Sequence, residues 1–186
     1  YGKPIFADLI LNEIVNLNLD GTFSLSLKYF EYWRGGKLFS QEFCRLFRSP
    51  ARSSDGPLDP IYMDVAASIQ SVIETAVLRL ATTVRKETSL INLCLSGGVA
   101  LNCVSNGKLL KQKIFDDIWI QPASGDSGSS IGAAFAFWHI YMNQPRKIEN
   151  TDKMKGSLLG PAYSNEEVIS YLQTLKTEFQ IYEDNE

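Results

Sequence analysis

From Pro60 to about Lys86 the apolar residues Ile61, Val65, Ile69, Val72, Ile73, Ala76, Leu80 and Val84 recur at the spacing of one helix face, the strongest periodic signal in the chain. Asp59 stands where an N-cap belongs, and Pro60 takes the first helical position, where its missing N–H costs nothing. A long, half-buried helix is predicted. Before it, between Ile14 and Tyr29, apolar residues alternate at Phe23, Leu25 and Leu27 behind Asp20-Gly21, which predicts a β-hairpin. Gly35-Gly36 is followed by a short helical segment, Gln41 to Phe47, and then by a Pro/Ser/Arg/Gly-rich loop from Ser49 to Asp59.

Beyond the long helix the pattern shortens. A compact apolar run, Leu90 to Leu95, meets Ser96-Gly97-Gly98 and then a helical pattern from Val99 to Lys111. A second run, Ile118-Trp119-Ile120, meets Pro122-Ala123-Ser124-Gly125-Asp126-Ser127-Gly128 and a small-residue helix from Ser129 to Tyr141. Strand, helix, strand, helix implies an α/β fold with parallel strands and a right-handed crossover. Ligands then sit outside the carboxyl ends of the strands, where both glycine-bearing loops lie. Residues 143 to 155 turn polar and basic and read as a linker. Ser164 and Glu167 form a capping box for a helix through Leu175, and the chain closes on the acidic run Glu183-Asp184-Asn185-Glu186. The domain division expected is 1–145 and 146–186, the latter a linker and the truncated start of another domain.

Composition narrows the partners. With 186 residues and 45% hydrophobic content the chain can bury a core. Eighteen basic and 21 acidic side chains leave a net charge of −3, without a Lys/Arg block to follow a phosphate backbone, so direct nucleic-acid binding is not expected. No uninterrupted apolar run reaches the roughly 18 to 20 residues of a membrane span, and a soluble protein is expected. Cys44, Cys94 and Cys103 are odd in number and contain no CxxC pair. They are expected to be reduced in a cytoplasmic chain, with Cys94 and Cys103 as small core residues. The start at Tyr1-Gly2-Lys3-Pro4, without Met, suggests a segment of a longer polypeptide.

Chemistry concentrates in the two loops. At Gly97-Gly98 a backbone without side chains allows close approach of a ligand, and free N–H groups at the start of the following helix suit a phosphate. The same pair also serves simply to turn a strand into a helix. Asn102 and Asn106, four apart near the start of that predicted helix, can offer amide hydrogen bonds from one face, or can be an exposed polar stripe. Asp126, among small residues, can hold a hard cation or orient a hydroxyl nucleophile, while capping by Asp126 or Ser127 needs no ligand. His139 is the only histidine, so neither a His-based metal pair nor a Ser-His-Asp relay can be assembled. It reads as structural, near the end of the last core helix. Asp116-Asp117 reads as a strand entry and Trp119 as a packing anchor.

Asn92-Leu-Cys-Leu-Ser-Gly-Gly-Val-Ala-Leu-Asn-Cys103, Ser105-Asn-Gly107 and Phe115-Asp-Asp-Ile-Trp-Ile-Gln-Pro-Ala-Ser-Gly-Asp-Ser-Gly128 resemble the O-carbamoyltransferases of nodulation-factor and antibiotic biosynthesis. The likeness extends more loosely through Asp20-Gly21 and Tyr29-Phe30 to Leu159-Gly160-Pro161, where that family's carboxy-terminal domain begins. That family is similar to the threonylcarbamoyl-transferring proteins of tRNA modification. The resemblance implies the second half of an actin-like (ASKHA, RNase H-like) domain with a β-hairpin insertion, then the start of a C-terminal α/β domain.

It also implies a two-step reaction. Carbamoyl phosphate and ATP give carbamoyl-adenylate in the carboxy-terminal domain, and the carbamoyl group then passes to a hydroxyl of a small molecule or sugar in the actin-like domain. By the same resemblance Asp126 is catalytic as a ligand of a divalent metal, iron, whose other ligands are two histidines of an HxxxH motif. Such a metal would polarise the carbamoyl carbonyl. Gly97, Gly98 and Asn102 match the nucleotide-side loop, and Gly125 and Gly128 flank the aspartate. Residues 1–186 would lack both histidines and most of the adenylate-forming domain, so the isolated chain is expected to be inactive. Two further readings are a phosphotransferase of the actin-like, sugar-kinase superfamily with Asp126 as base, and a non-catalytic binding module in which the glycines only make turns.

Overall fold

In the computed structural model the helix that begins at Pro60 is the spine of the fold. Residues 1–35, 37–149, 151–152 and 154–182 are described, Arg34 by its backbone alone. The Gly36 half of the glycine pair and the acidic run from Glu183 lie outside them. The chain divides into two units, Tyr1–Met142 and a second beginning at Asn143.

The first unit runs α1 (Ala7–Glu13), β1 (Val15–Leu17), β2 (Phe23–Leu25), α2 (Gln41–Leu46), α3 (Pro60–Thr88), β3 (Asn92–Leu95), α4 (Cys103–Lys111), β4 (Asp117–Ile120) and α5 (Gly128–Ala136). It is a mixed α/β unit. At 29 residues α3 is about 44 Å long, and it starts as the sequence predicts, with Asp59 at the N-cap and Pro60 at N1. The Asp59 side chain, however, makes no capping bond.

Polar residues of α3 fasten other segments to it. Ser68, fully buried, donates to Asp64 O and accepts from Phe6 N at 3.0 Å. Arg79 Nη1 donates to Asn18 O at 3.0 Å, tying the hairpin to the helix. Gly21, at φ +89°, lies so close that a Cβ there would fall 2.4 Å from Leu80 N, so the turn requires glycine both for its backbone angle and for its approach to α3. The core forms two clusters along this spine. Ile10, Ile14, Tyr29, Phe47 and Val72 gather at its first half, and Ala81, Leu109 and Phe115 at its second.

An 18-residue window of α3 has a mean hydropathy of 1.3, so by length and composition this helix is long and apolar enough to cross a membrane, contrary to the reading of short apolar runs. Its polar residues Ser68, Arg79 and Glu74 bond to Phe6 at the N-cap of α1, to the hairpin and to α4.

The hairpin forms as predicted, Val15 opposite Leu25 and Leu17 opposite Phe23, but the alternation overreaches. After Leu25 the chain leaves the strand and turns 3₁₀ at Leu27–Tyr29, which buries Tyr29 and lets its hydroxyl donate to Glu13 at 2.8 Å. Strands β3 and β4 are parallel, with α4 between them in sequence.

Burial departs from expectation beyond this point. Trp119 is 53% exposed, Cys94 and Cys103 are exposed, and all three cysteines are free. The expected last core helix, α5, buries none of its residues and passes into a π turn, Phe137–Tyr141, where His139 stacks on Phe135. Short strands alternating apolar and polar predict a buried face only when another layer covers it. Among the described residues none covers this one.

In the second unit a 3₁₀ turn, Lys155–Ser157, is held by Asp152, which accepts from Met154 N and Gly156 N. The helix α6 (Asn165–Thr174) follows, and its capping box forms as the sequence predicts. Ser164 Oγ accepts from Glu167 N at 3.2 Å, and Glu167 accepts from Ser164 N at 2.7 Å.

Candidate functional site

The parallel register pairs Leu95 with Ile120, the last residues of β3 and β4, so the two glycine-bearing loops leave the sheet level with each other. They are joined at once: Gly97 N–H donates to Ser124 O at 2.8 Å. The edge formed by 96–102 and 121–128 is thus a single structure at the carboxyl ends of parallel strands, where open α/β sheets take ligands.

Gly97 and Gly98 do more than make the turn. Gly97 has φ +99° and ψ 163°, a conformation restricted to glycine. Around both residues a Cβ would meet nothing within 4 Å, so this stretch of backbone faces open space. Gly125 and Gly128 differ. A Cβ at Gly125 would make ordinary contact with Leu101 at 3.8 Å, whereas at Gly128 it would fall 1.9 Å from Ala123 O. Glycine at 128 is demanded by its own loop, independently of any ligand.

The helix predicted from Val99 is broken. Gly98–Leu101 is a 3₁₀ turn, and α4 starts only at Cys103, with Asn102 as its N-cap. Asn102 and Asn106 therefore do not present a common helix face. Asn102 Oδ1 accepts from Ser105 N at 3.1 Å, and Asn106 Nδ2 reaches back to Ala100 O at 2.7 Å. Both amides hold the turn together. Asn102 also meets Gln70 of α3, donating to Gln70 Oε1 at 2.8 Å and accepting from Gln70 Nε2 at 3.1 Å.

Gln70 Nε2 donates on to Glu74 Oε1 at 3.0 Å, and the other Glu74 oxygen takes an ion pair with Lys108 of α4. Burial of Glu74 would raise its pKa, but the hydrogen bonds from Lys108 and Gln70 and the Lys108 charge outweigh it, so the carboxyl is held below its usual range. The sequence pattern marks Gln70, Glu74 and Lys108 only as polar breaks in apolar periodicity. The four-residue step from Gln70 to Glu74 is the sole local hint.

Asp126 is exposed, and among the described residues no hydrogen bond or ion pair engages its carboxylate. Neither it nor Ser127 caps α5, which begins without a side-chain cap, so the ligand-free capping role does not account for this loop. Ser124 Oγ, in contrast, is buried with no partner among the described residues. A lone buried hydroxyl costs about 1–3 kcal/mol, and here it lies at the junction of the two loops. No group of three His, Cys, Asp or Glu side chains among the described residues is placed to hold a metal ion. Asp126 is one carboxylate, short of a metal site by itself.

Comparison with known proteins gives this geometry its context. A family model described as Carbamoyltransferase N-terminus matches residues 1–135. An uncharacterized protein of Synechocystis, sll1178, is 51% identical over 173 residues, covering 93% of this chain and 28% of its own length. Nodulation protein NolO of Bradyrhizobium diazoefficiens is 47% identical over 78 residues, 42% of this chain and 14% of its own. Nodulation protein U of the same species is 40% identical over 75 residues, 38% of this chain and 13% of its own. The chain thus spans less than a third of each of these relatives.

Proposed function

This chain belongs to the carbamoyltransferase family, in the domain described as its N-terminus, and from that premise we propose that it is part of an ATP-dependent O-carbamoyltransferase. In this reading water cleaves carbamoyl phosphate to carbamate and inorganic phosphate, and a carbamate oxygen then attacks the α-phosphorus of ATP, so that carbamoyl-adenylate forms and pyrophosphate leaves. A hydroxyl oxygen of a small molecule or sugar then attacks the carbamoyl carbon, AMP departs, and the hydroxyl proton is lost. Residues 1–145 are the second half of an actin-like domain working in the cytoplasm, and residues 146–186 are a linker and the start of the adenylate-forming domain.

One observation carries the reading: the open backbone at Gly97-Gly98 is bonded directly to the loop that holds Asp126. The Gly97-Gly98 side accommodates the nucleotide phosphates, close to backbone that no side chain obstructs. Asp126 is the carboxylate that this chain offers to a divalent metal, iron by the family resemblance, with two histidine ligands from outside residues 1–186. With only part of each site, the isolated chain does not transfer carbamoyl groups.

The test is pyrophosphate release from ATP by the full-length protein that carries this sequence, with and without carbamoyl phosphate. Release that requires carbamoyl phosphate supports the assignment. Formation of ADP alone favours a phosphotransferase of the same superfamily, and the absence of any ATP turnover or binding favours a non-catalytic module.

A further inference from the structure

We propose that Gln70, in the middle of α3, is a positioning residue for the Gly97-Gly98 loop, acting through Asn102. The inference rests on the nucleotide-side reading of that loop. Its basis is the direction of the hydrogen bonds. Glu74, buried and paired with Lys108, can only accept, so the Gln70 amide must turn its nitrogen towards it and its oxygen towards Asn102. At the other end Ser105 N–H can only donate, so Asn102 must turn its oxygen towards α4 and its nitrogen towards Gln70. Both amide orientations are therefore dictated, from opposite ends, by groups that cannot reverse.

This leaves little freedom in either side chain. Both Gln70 nitrogen hydrogens have acceptors, and both acceptor sites of Asn102 Oδ1 are taken, by Gln70 and by Ser105. One Asn102 N–H and one acceptor site of Gln70 Oε1 remain for anything else. Asn102 closes the 3₁₀ turn Gly98–Leu101, its own N–H donating to Val99 O at 3.0 Å, while Gly97 O accepts from Ala100 N at 3.0 Å. A displacement of Asn102 is thus passed along the turn to the open glycine backbone. Gln70 lies 32 residues before Asn102 and holds that turn to the most extensive element of the fold.

The experiment measures binding of a non-hydrolysable ATP analogue to the full-length protein by titration calorimetry, fitted to two sites because the adenylate-forming domain also takes ATP, with melting temperatures in parallel. The Kd read is that of the site weakened by Gly98→Ala. Gln70→Met keeps the side-chain bulk and removes every hydrogen bond, and it is expected to raise Kd about fivefold or more. Gln70→Glu keeps an acceptor for Asn102 but sets a carboxylate against Glu74 and Asn102 Oδ1. It is expected to act in the same direction, so either variant suffices if the other does not fold. Arg79→Met, which detaches the hairpin from the same helix, is the control for general loosening: its melting temperature falls and its Kd is unchanged. Unchanged Kd in the Gln70 variants, or an equal rise in Arg79→Met, overturns the positioning role alone. No analogue binding by the unaltered protein, or none that Gly98→Ala weakens, overturns the nucleotide reading and this inference with it.

Discussion

Asn102 and Gln70 face each other as a reciprocal amide pair, Nδ2 to Oε1 at 2.8 Å and Oδ1 to Nε2 at 3.1 Å, joining the N-cap of α4 to the middle of α3. The same Asn102 oxygen caps Ser105 N, so one side chain closes a helix end and makes a tertiary contact. Asn102→Asp separates these roles. Aspartate is as good an N-cap as asparagine, but it would place an oxygen against Gln70 Oε1 and a second charge near Glu74. The expected result is a loss of about 1–2 kcal/mol in urea unfolding, where capping alone predicts none.

The glycines of the two loops should part company. Gly128→Ala sets a methyl group into the Ala123 carbonyl and should cost more than about 2 kcal/mol in chemical unfolding. Gly98→Ala has open space around it and should stay within about 0.5 kcal/mol of the unaltered protein. On the proposed reading of this loop as the nucleotide side, it should nevertheless weaken nucleotide binding measured by calorimetry, because the new methyl group would stand in the open space assigned to the phosphates.

Glu74 gives stability a signature in acid. Its folded-state pKa is lowered, so its contribution is fully present above the ordinary glutamate value, near about 4.3, and is lost as pH falls through the lower folded value. Urea midpoints measured between about pH 3 and 7 should fall on the acid side more steeply in the unaltered protein than in Glu74→Gln. Parallel curves would show that the carboxyl is not held ionised by Lys108 and Gln70.

Asp126→Ala removes an exposed carboxylate to which no described residue is bonded. Its effect on stability should be under about 0.5 kcal/mol, whereas carbamoyl transfer by the full-length protein should be abolished. Retained transfer, measured by carbamoylated product at saturating substrates, removes Asp126 from the chemistry.

What the sequence determined by itself is local. The periodicity from Ile61 to Val84, Pro60 at N1, the Asp20-Gly21 turn and the Ser164/Glu167 capping box each lie within a few consecutive residues, where backbone preference and side-chain reach are enough to set the outcome. The loop motifs were legible for the same reason, and with them the family. Tertiary structure alone decided that the helix after Gly98 breaks at Asn102, because the partner that holds that amide is 32 residues away on α3. It decided that β2 stops at Leu25, where the chain turns to bury Tyr29 against the first core cluster. It decided too that Trp119, Cys94 and Cys103 are exposed, since a pattern of apolar residues states which face prefers burial, and only the elements packed against that face determine whether burial occurs.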